Sequence, residues 1–339
     1  MAQAMDFLTK ILGPLPFGRI AVSPIPGTFG QGWPGLVYLS TVSYLLPYDV
    51  VRATNRNNES VDLFFRTILP VHELAHQWWG HVVRPASYRE EWLIEGLSAY
   101  TALMWLEQQN KGGPRSVRLL LDADRKTLLR KNEDVSAESV GPPVLGFRLG
   151  SSKTPLGGDV VIYRKGPWIL HMLRQLMRDP KTGSDAAFYQ FLRAVRDQFA
   201  EQPLTTAGFR ALAEKFVIPE MNAEKGRSLE WFFDQWVYST GIPEIQMSVK
   251  VEAPRPAAAA GTRATRGKIA GSASLGGVDD SWILPIPIYV QTLRGDLFAG
   301  VAVAEAGATG EQARFSLPLP PASQKAVADP QQTLLAVWK

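Results

Sequence analysis

The segment from Val71 to Gly80 constrains this 339-residue chain more than any other part of its sequence. It reads V-H-E-L-A-H-Q-W-W-G and places two histidines four residues apart in a stretch with helical periodicity. Because an α-helix has about 3.6 residues per turn, His72 and His76 lie on one face of the predicted helix. Two imidazoles on one face can hold a metal ion, and Glu73 beside them can reach a water on that ion.

A third protein ligand is expected from a second helix, because hydrolytic zinc takes three protein ligands and keeps one position open. The candidate is Glu95, in the run W-L-I-E-G-L, and eighteen residues separate it from His76. The chain has no cysteine, so a zinc site must use histidine and carboxylate ligands. The sequence therefore predicts Zn²⁺ on His72, His76 and Glu95.

These two runs and their spacing resemble the gluzincin aminopeptidases, the family of aminopeptidase N. The family pattern is H-E-x-x-H, an eighteen-residue spacer and a glutamate, within H-E-L-x-H-Q-W-F-G and W-L-N-E-G. Ile94 stands where the family has asparagine, next to the ligand Glu95. The resemblance implies a zinc metallopeptidase with a thermolysin-like catalytic domain that acts on peptides, with Glu73 as general base.

A third landmark is the run V-I-Y-R-K-G at residues 161–166, which is similar to the family's Y-x-K-G. The resemblance assigns to Tyr163 the hydrogen bond that stabilises the oxyanion of the tetrahedral intermediate. A phenol beside a metal is suited to this task, since it donates to negative charge in a site from which water is largely excluded.

The chain departs from the family at the strand that pairs with substrate. The relatives carry G-x-M-E-N there, and its glutamate binds the free α-amine of the substrate. The corresponding residues here are Gly30, Gln31, Gly32 and Trp33, with Gly32 at the glutamate position. We expect this strand to bind a peptide by β-addition, and Gly32 to permit a close backbone approach, but the amine-binding carboxylate is missing.

The wider pattern predicts an α+β fold in two parts. Helices are predicted near residues 64–82, 94–109, 116–132, 162–178, 185–200, 205–216 and 228–237, with strands at 18–23 and 35–40. Residues 1–245 are assigned to a mostly helical catalytic domain with a small mixed or antiparallel sheet. Residues 246–339 are assigned to a small β-sandwich, with a loop at 253–277.

Composition limits the partners and the location of the chain. The net charge is +4 with basic and acidic residues interleaved, which indicates no nucleic-acid surface. No apolar run reaches the roughly 18 residues of a membrane span, and the N-terminus lacks a signal-peptide pattern. The chain as written is expected to be cytoplasmic. It would be secreted or periplasmic if it were a fragment, in which case a missing N-terminal domain or a partner chain would cover the cleft.

Three functional interpretations follow from these residues. The first is a zinc peptidase, an aminopeptidase by family resemblance, although the missing carboxylate favours an endopeptidase or relaxed activity. The second is a zinc hydrolase that acts on another amide or on an ester. The third is a non-catalytic peptide-binding module, which the presence of Glu73 and Tyr163 disfavours, because binding alone requires no general base.

Overall fold

The computed structural model describes residues 1–46, 49–50, 59–110, 112–132, 135–152, 154–254, 267–293, 295–307, 312–320 and 325–339. Contacts divide the chain into two compact units. One comprises residues 1–170 and 189–212, and the other comprises residues 171–188 and 213–339. The change from helices to strands occurs at Glu244, close to the predicted boundary at residue 245, but the compact units divide the helical part differently.

Most of the α-helices lie close to the predicted positions along the chain, whereas the helices Ala2–Leu12 and Gly157–Val160 were not predicted. The α-helices are α1 Ala2–Leu12, α2 Glu59–Leu63, α3 Leu69–Ala75, α4 Glu91–Glu107, α5 Gly113–Leu129, α6 Gly157–Val160, α7 Gly166–Met177, α8 Ala186–Phe199, α9 Thr206–Ala213 and α10 Glu230–Trp236. Two π-type turns, Phe64–Ile68 and Val161–Lys165, lead into α3 and α7. Short 3-10 turns cover Thr41–Tyr44, Tyr88–Glu90, Glu138–Val140, Pro143–Leu149 and Pro219–Met221. In the described ranges, no helix combines the length and apolar character that a membrane span requires.

The helix α3, which carries the paired histidines, is shorter than predicted. It ends at Ala75 rather than near residue 82, and the chain then runs through turns. Gly80 has a φ of 107°, a left-handed backbone conformation that a continuing helix cannot adopt, and its N–H donates to the carbonyl of Val83. Pro70 lies in the first turn of α3, where its missing N–H costs nothing.

The first unit is built around α4, which is buried on nearly every side. Its buried residues include the predicted positions Leu97, Tyr100, Met104 and Leu106, which are confirmed. A helix that is apolar all round belongs in the interior of a domain. The neighbours of α4 include α3, α5 and the π-type turn Val161–Lys165, so α4 holds the chemistry-bearing segments together.

A three-stranded sheet packs beside these helices. Its strands are β1 Ala21–Ile25, β2 Gln31–Trp33 and β3 Leu36–Ser40, in the order β1-β3-β2. β1 runs parallel to β3, whereas β2 runs antiparallel to it and forms an edge. Two further short strands, β4 Lys131–Asn132 and β5 Val135–Ser136, pair with each other.

In the second unit, the described strands join one curled sheet. They are β6 Glu244–Glu252, β7 Lys268–Gly276, β8 Ile283–Thr292, β9 Gly295–Ala306, β10 Ala313–Pro318, β11 Lys325–Ala328 and β12 Val337–Trp338. The hydrogen-bonded order is β11-β8-β9-β7-β6-β12, with β10 paired to β7. The described strands therefore do not form the two separately bonded sheets expected of a sandwich.

The strand β7 corrects the prediction of a loop over residues 253–277, of which 255–266 lie outside the described residues. Its Ala, Gly and Ser residues resemble a linker by composition, yet they pair with β6 along nine positions. Gly271 shows why small residues are needed, because a Cβ atom there would lie 2.7 Å from the ring of Phe315 and 2.0 Å from the carbonyl of Ser248. Close packing, rather than flexibility, accounts for this composition.

Candidate active site

Three side chains converge at the point where α3 faces α4. The Nε2 atoms of His72 and His76 lie 3.1 Å apart, and the Glu95 Oε2 atom lies 3.2 Å from the first and 3.5 Å from the second. A tetrahedral zinc ion with bonds of about 2.0–2.2 Å separates its ligand atoms by about 3.3–3.6 Å. The triangle formed by these three atoms therefore has the size that zinc requires.

The protonation of this triangle also indicates a cation. The Nδ1 atom of His76 lies 2.9 Å from the carbonyl of Trp79, and this bond assigns the proton of a neutral ring to Nδ1. The His76 Nε2 atom then presents a lone pair to the carboxylate of Glu95, and two acceptors repel each other unless a cation lies between them. Burial lowers the pKa of His76, but the Glu95 carboxylate outweighs it and raises the pKa to about 9 in the metal-free chain.

Glu73 lies beside the triangle without completing it. The ligand atoms of Glu73, His72 and His76 are within 4.8 Å of one another, but the Glu73 carboxylate accepts a hydrogen bond from the Gly32 N–H. The Glu95 Oε2 atom contacts both Nε2 atoms, so Glu95 rather than Glu73 completes the triangle. Burial raises the pKa of Glu73 above its usual range, which makes it a stronger base.

Tyr163 enters the same cleft from the π-type turn before α7. Its ring centroid lies 6.1 Å from that of His72, and 40% of its surface is exposed. Burial raises the pKa of the phenol well above its usual value, and the nearby carboxylates, Glu95 first among them, add to the shift. The hydroxyl group is therefore protonated at all ordinary pH values and available as a hydrogen-bond donor.

The edge strand β2 packs directly on α3 through two glycines. A Cβ atom on Gly32 would lie 2.3 Å from the Glu73 carbonyl oxygen and 2.8 Å from the His76 Cβ, and one on Gly30 would lie 2.7 Å from the Glu73 side chain. Gln31 and Trp33 alternate with these glycines and are exposed. The close approach predicted at Gly32 is present, but α3 makes it, and no side chain fits at this position.

Two residues that the sequence did not single out fix this strand to the end of α3. Gln77 donates through Nε2 to the Trp33 carbonyl at 2.8 Å and accepts from the Gly35 N–H at 2.9 Å. The His81 Nε2 atom lies 2.7 Å from the Gly32 carbonyl oxygen. Both residues lie within five positions after His76, and this closeness in sequence was the signal that could have indicated their role at the site.

All of these groups line one cleft with a volume of about 1320 Å³. The predicted ligands, Glu73, Tyr163 and the four residues from Gly30 to Trp33 are among its lining residues. Three further carboxylates, those of Glu91, Asp124 and Asp159, are among its lining residues, together with Arg164, which pairs with Asp124 at 2.7 Å. The cleft is large enough for several residues of an extended peptide.

Comparison with known proteins agrees with this geometry. The profile described as the Peptidase family M1 domain matches residues 35–236, more than half of the chain. The chain belongs to peptidase family M1. Three of the groups described above, the zinc triangle, Glu73 and Tyr163, lie within the part that matches the M1 domain, whereas Gly30–Trp33 lies just before it.

Curated relatives of this M1 chain are aminopeptidases. Human aminopeptidase RNPEPL1 is 28% identical over 250 residues, which is 71% of this chain and 30% of the relative. Leucine aminopeptidase 2 from Candida albicans is 26% identical over 204 residues, 53% of this chain and 29% of the relative. The M1 chain thus spans about 30% of the length of these relatives.

One solved structure in the comparison is an M1 zinc metallopeptidase mutant from Deinococcus radiodurans bound to a Tyr-Ser-Ala substrate. It is 24% identical and covers 70% of this chain and 43% of its own, with a TM-score of 0.45.

The first testable prediction concerns the metal. We expect about one zinc per chain, and about one proton released per zinc bound at pH 7, because the proton on His76 must leave before the metal binds. His76→Ala and Glu95→Ala should each lose most of the zinc. Elemental analysis gives the zinc content, and calorimetry in buffers of different ionisation enthalpy gives the proton count. Unchanged zinc in both variants would rule out this ligand assignment.

The second prediction concerns the packing of β2 on α3. Gly32→Ala should lower the free energy of unfolding by about 1–3 kcal/mol, because its Cβ atom would overlap the backbone of α3. The matched control is Gly276→Ala in β7, where a Cβ atom has no neighbour within 4 Å. Denaturant unfolding of both variants measures the effect. Equal stability of the two variants would contradict the close approach.

Proposed function

We propose that this M1 chain hydrolyses peptide bonds with a zinc ion held by His72, His76 and Glu95. The observation that carries the proposal is the placement of this ligand triangle, a buried carboxylate and a protonated phenol around one cleft. The match of residues 35–236 to the peptidase family M1 domain supports the proposal. A binding module would have no use for the last two groups.

The chemistry of each side chain follows from its surroundings. Zinc, when bound, supplies a Lewis acid that polarises the scissile carbonyl and lowers the pKa of a coordinated water. Glu73 accepts the proton of the attacking water, because burial makes its carboxylate more basic than usual. The same carboxyl group then delivers that proton to the departing amine. Tyr163 donates a hydrogen bond to the oxyanion, since its raised pKa keeps the phenol protonated.

The third prediction separates binding from chemistry. Glu73→Gln should keep zinc and lose nearly all turnover, because an amide cannot accept the proton. Tyr163→Phe should also keep zinc and lose about 10²–10³-fold in kcat, the scale for one oxyanion donor. Zinc content and steady-state kinetics on a peptide are measured together for both variants. A Tyr163→Phe enzyme with the wild-type rate would refute the role of the phenol.

Recognition of the substrate N-terminus differs from that expected of an aminopeptidase. In the aminopeptidases that this chain resembles, a glutamate that binds the substrate amine occupies the position of Gly32. Here the backbone of α3 leaves no room for a side chain at that position. The carboxylates of Glu91, Asp124 and Asp159 line the cleft but belong to α4, α5 and α6, not to the strand β2. We therefore propose an endopeptidase or relaxed activity with weak preference for a free α-amine.

The fourth prediction tests this specificity. A charged hydrogen bond to a substrate amine is worth about 1.5–3 kcal/mol, or roughly ten- to a hundredfold in preference. Its loss should leave less than about tenfold discrimination between free and acetylated N-termini, with internal cleavage of unfolded peptides. Mass spectrometry of one peptide set, free and acetylated, gives the result.

Exclusive removal of single N-terminal residues would refute this specificity without refuting peptide hydrolysis. Glu91→Gln, Asp124→Asn and Asp159→Asn would then show which carboxylate binds the amine, since only that variant would lose the preference. Hydrolysis of esters without hydrolysis of any peptide would instead favour the broader class of zinc amide and ester hydrolases.

A further inference from the structure

A buried ion pair lies behind the turn that carries Tyr163. Lys165 donates through Nζ to Glu138 Oε1 at 2.6 Å, and the exposed fractions of the two side chains are 0% and 3%. Taking both charges out of water is unfavourable, and apolar side chains of similar volume often stabilise such a position better. The burial of this pair therefore calls for a role other than simple stability.

The position of the pair connects it to Tyr163. Lys165 is the last residue of the π-type turn Val161–Lys165, and Tyr163 lies two residues before it in the same turn. The Tyr163 side chain is exposed to the cleft, whereas the Lys165 side chain points into the interior. Any movement of Lys165 away from Glu138 would rotate the turn and displace the phenol. π-type turns of this kind occur frequently at functional sites.

Two glycines fix the same end of the turn, next to the ion pair. A Cβ atom on Gly166 would lie 3.3 Å from the Gly96 Cα, so the backbones of α7 and α4 are in direct contact there. Gly96 follows the ligand Glu95 in sequence. The end of the turn that follows Tyr163 is thus held both by the ion pair and by the contact with α4.

The phenol itself has no such support. In the part of the chain that the structure describes, the Tyr163 hydroxyl group has no hydrogen-bond partner, and the contact of its ring with another aromatic ring is the tilted one with His72. The backbone of the turn therefore determines where the hydroxyl group lies. A hydrogen-bond donor contributes to catalysis only if it is held close to the position that the oxyanion will occupy.

We propose that the buried Lys165–Glu138 ion pair is a positioning device that fixes the orientation of Tyr163 in the cleft. This inference rests on the proposed function of Tyr163 as the oxyanion donor. Neither Lys165 nor Glu138 contacts the substrate in this mechanism, and both act through the turn.

The experiment replaces the pair with apolar residues of similar size, Lys165→Met with Glu138→Leu. The double variant should fold, keep its zinc and lose about 10- to 100-fold in kcat with little change in KM, because a displaced donor no longer reaches the oxyanion. In a Tyr163→Phe background, the same double substitution should cause no further loss, since the effect passes through the phenol. Wild-type kcat, or an undiminished loss in the Tyr163→Phe background, would overturn the proposal.

A matched control removes a structural explanation. Arg174 and Asp185 form another ion pair of low exposure, at 2.5 Å, in the second unit. Arg174→Met with Asp185→Leu should alter thermal stability and leave kcat unchanged.

If the double variant at Lys165 and Glu138 failed to fold, Glu138→Gln, which keeps the shape and a hydrogen-bond acceptor, should show a smaller loss of kcat in the same direction. Wild-type kcat in a folded Glu138→Gln variant would then overturn the proposal.

A spectroscopic measurement distinguishes failure of this inference from failure of the proposed function. In protein labelled with 3-fluorotyrosine, Tyr163→Phe assigns the ¹⁹F resonance of residue 163. Removing the Lys165–Glu138 pair should shift or broaden that resonance even if wild type proved inactive on peptides. An unchanged resonance would refute the positioning role, while a wild type without turnover would refute only the proposed function.

Discussion

The packing of α3 against α4 is the constraint on which the site depends. His72 and His76 come from one helix and Glu95 from the other, and the hydroxyl group of Ser98 on α4 lies 3.2 Å from the His76 Nδ1 atom. Trp79, just after α3, donates to Thr101 on α4 at 3.2 Å. Because α4 is buried on nearly every side, the Glu95 carboxylate faces the two imidazoles rather than water. A buried carboxylate is stable only beside a cation, so the packing of these helices and the binding of a metal are coupled.

The same helix α3 also contacts the backbone of β2 at Gly32. Gly32 gives its N–H to Glu73, and its carbonyl oxygen contacts His81, so both polar groups of this residue already have partners. A peptide that adds to the edge of β2 must compete for them or pair through Gly30. The absence of a carboxylate at residue 32 is therefore not an isolated substitution. It accompanies a strand that lies directly on Glu73, and the Gly32 N–H lowers the pKa of that carboxyl group.

The sequence predicted most of the helices of this chain but missed the strand β7. Helical periodicity is a local property, and α4, α5, α7 and α8 were predicted within a few residues. β7 was mistaken for a loop because small residues give no alternating apolar pattern, and their purpose is visible only where β6 and Phe315 pack against them. The end of α3 was misplaced for a related reason, since the signal was the single residue Gly80 inside an otherwise apolar run.

By itself, the sequence determined which side chains could form the metal site and which carboxylate could act as a base. The spacing of His72 and His76 along a helix settles their common face, and the family resemblance supplied Glu95 and Tyr163. Only the tertiary structure decided how β2 lies on α3, how Gln77 and His81 hold it, and that Glu138 pairs with Lys165. These contacts join residues between 27 and 49 positions apart through single hydrogen bonds. Such contacts leave no periodic pattern in a sequence, because only the folded packing of other elements brings their partners together.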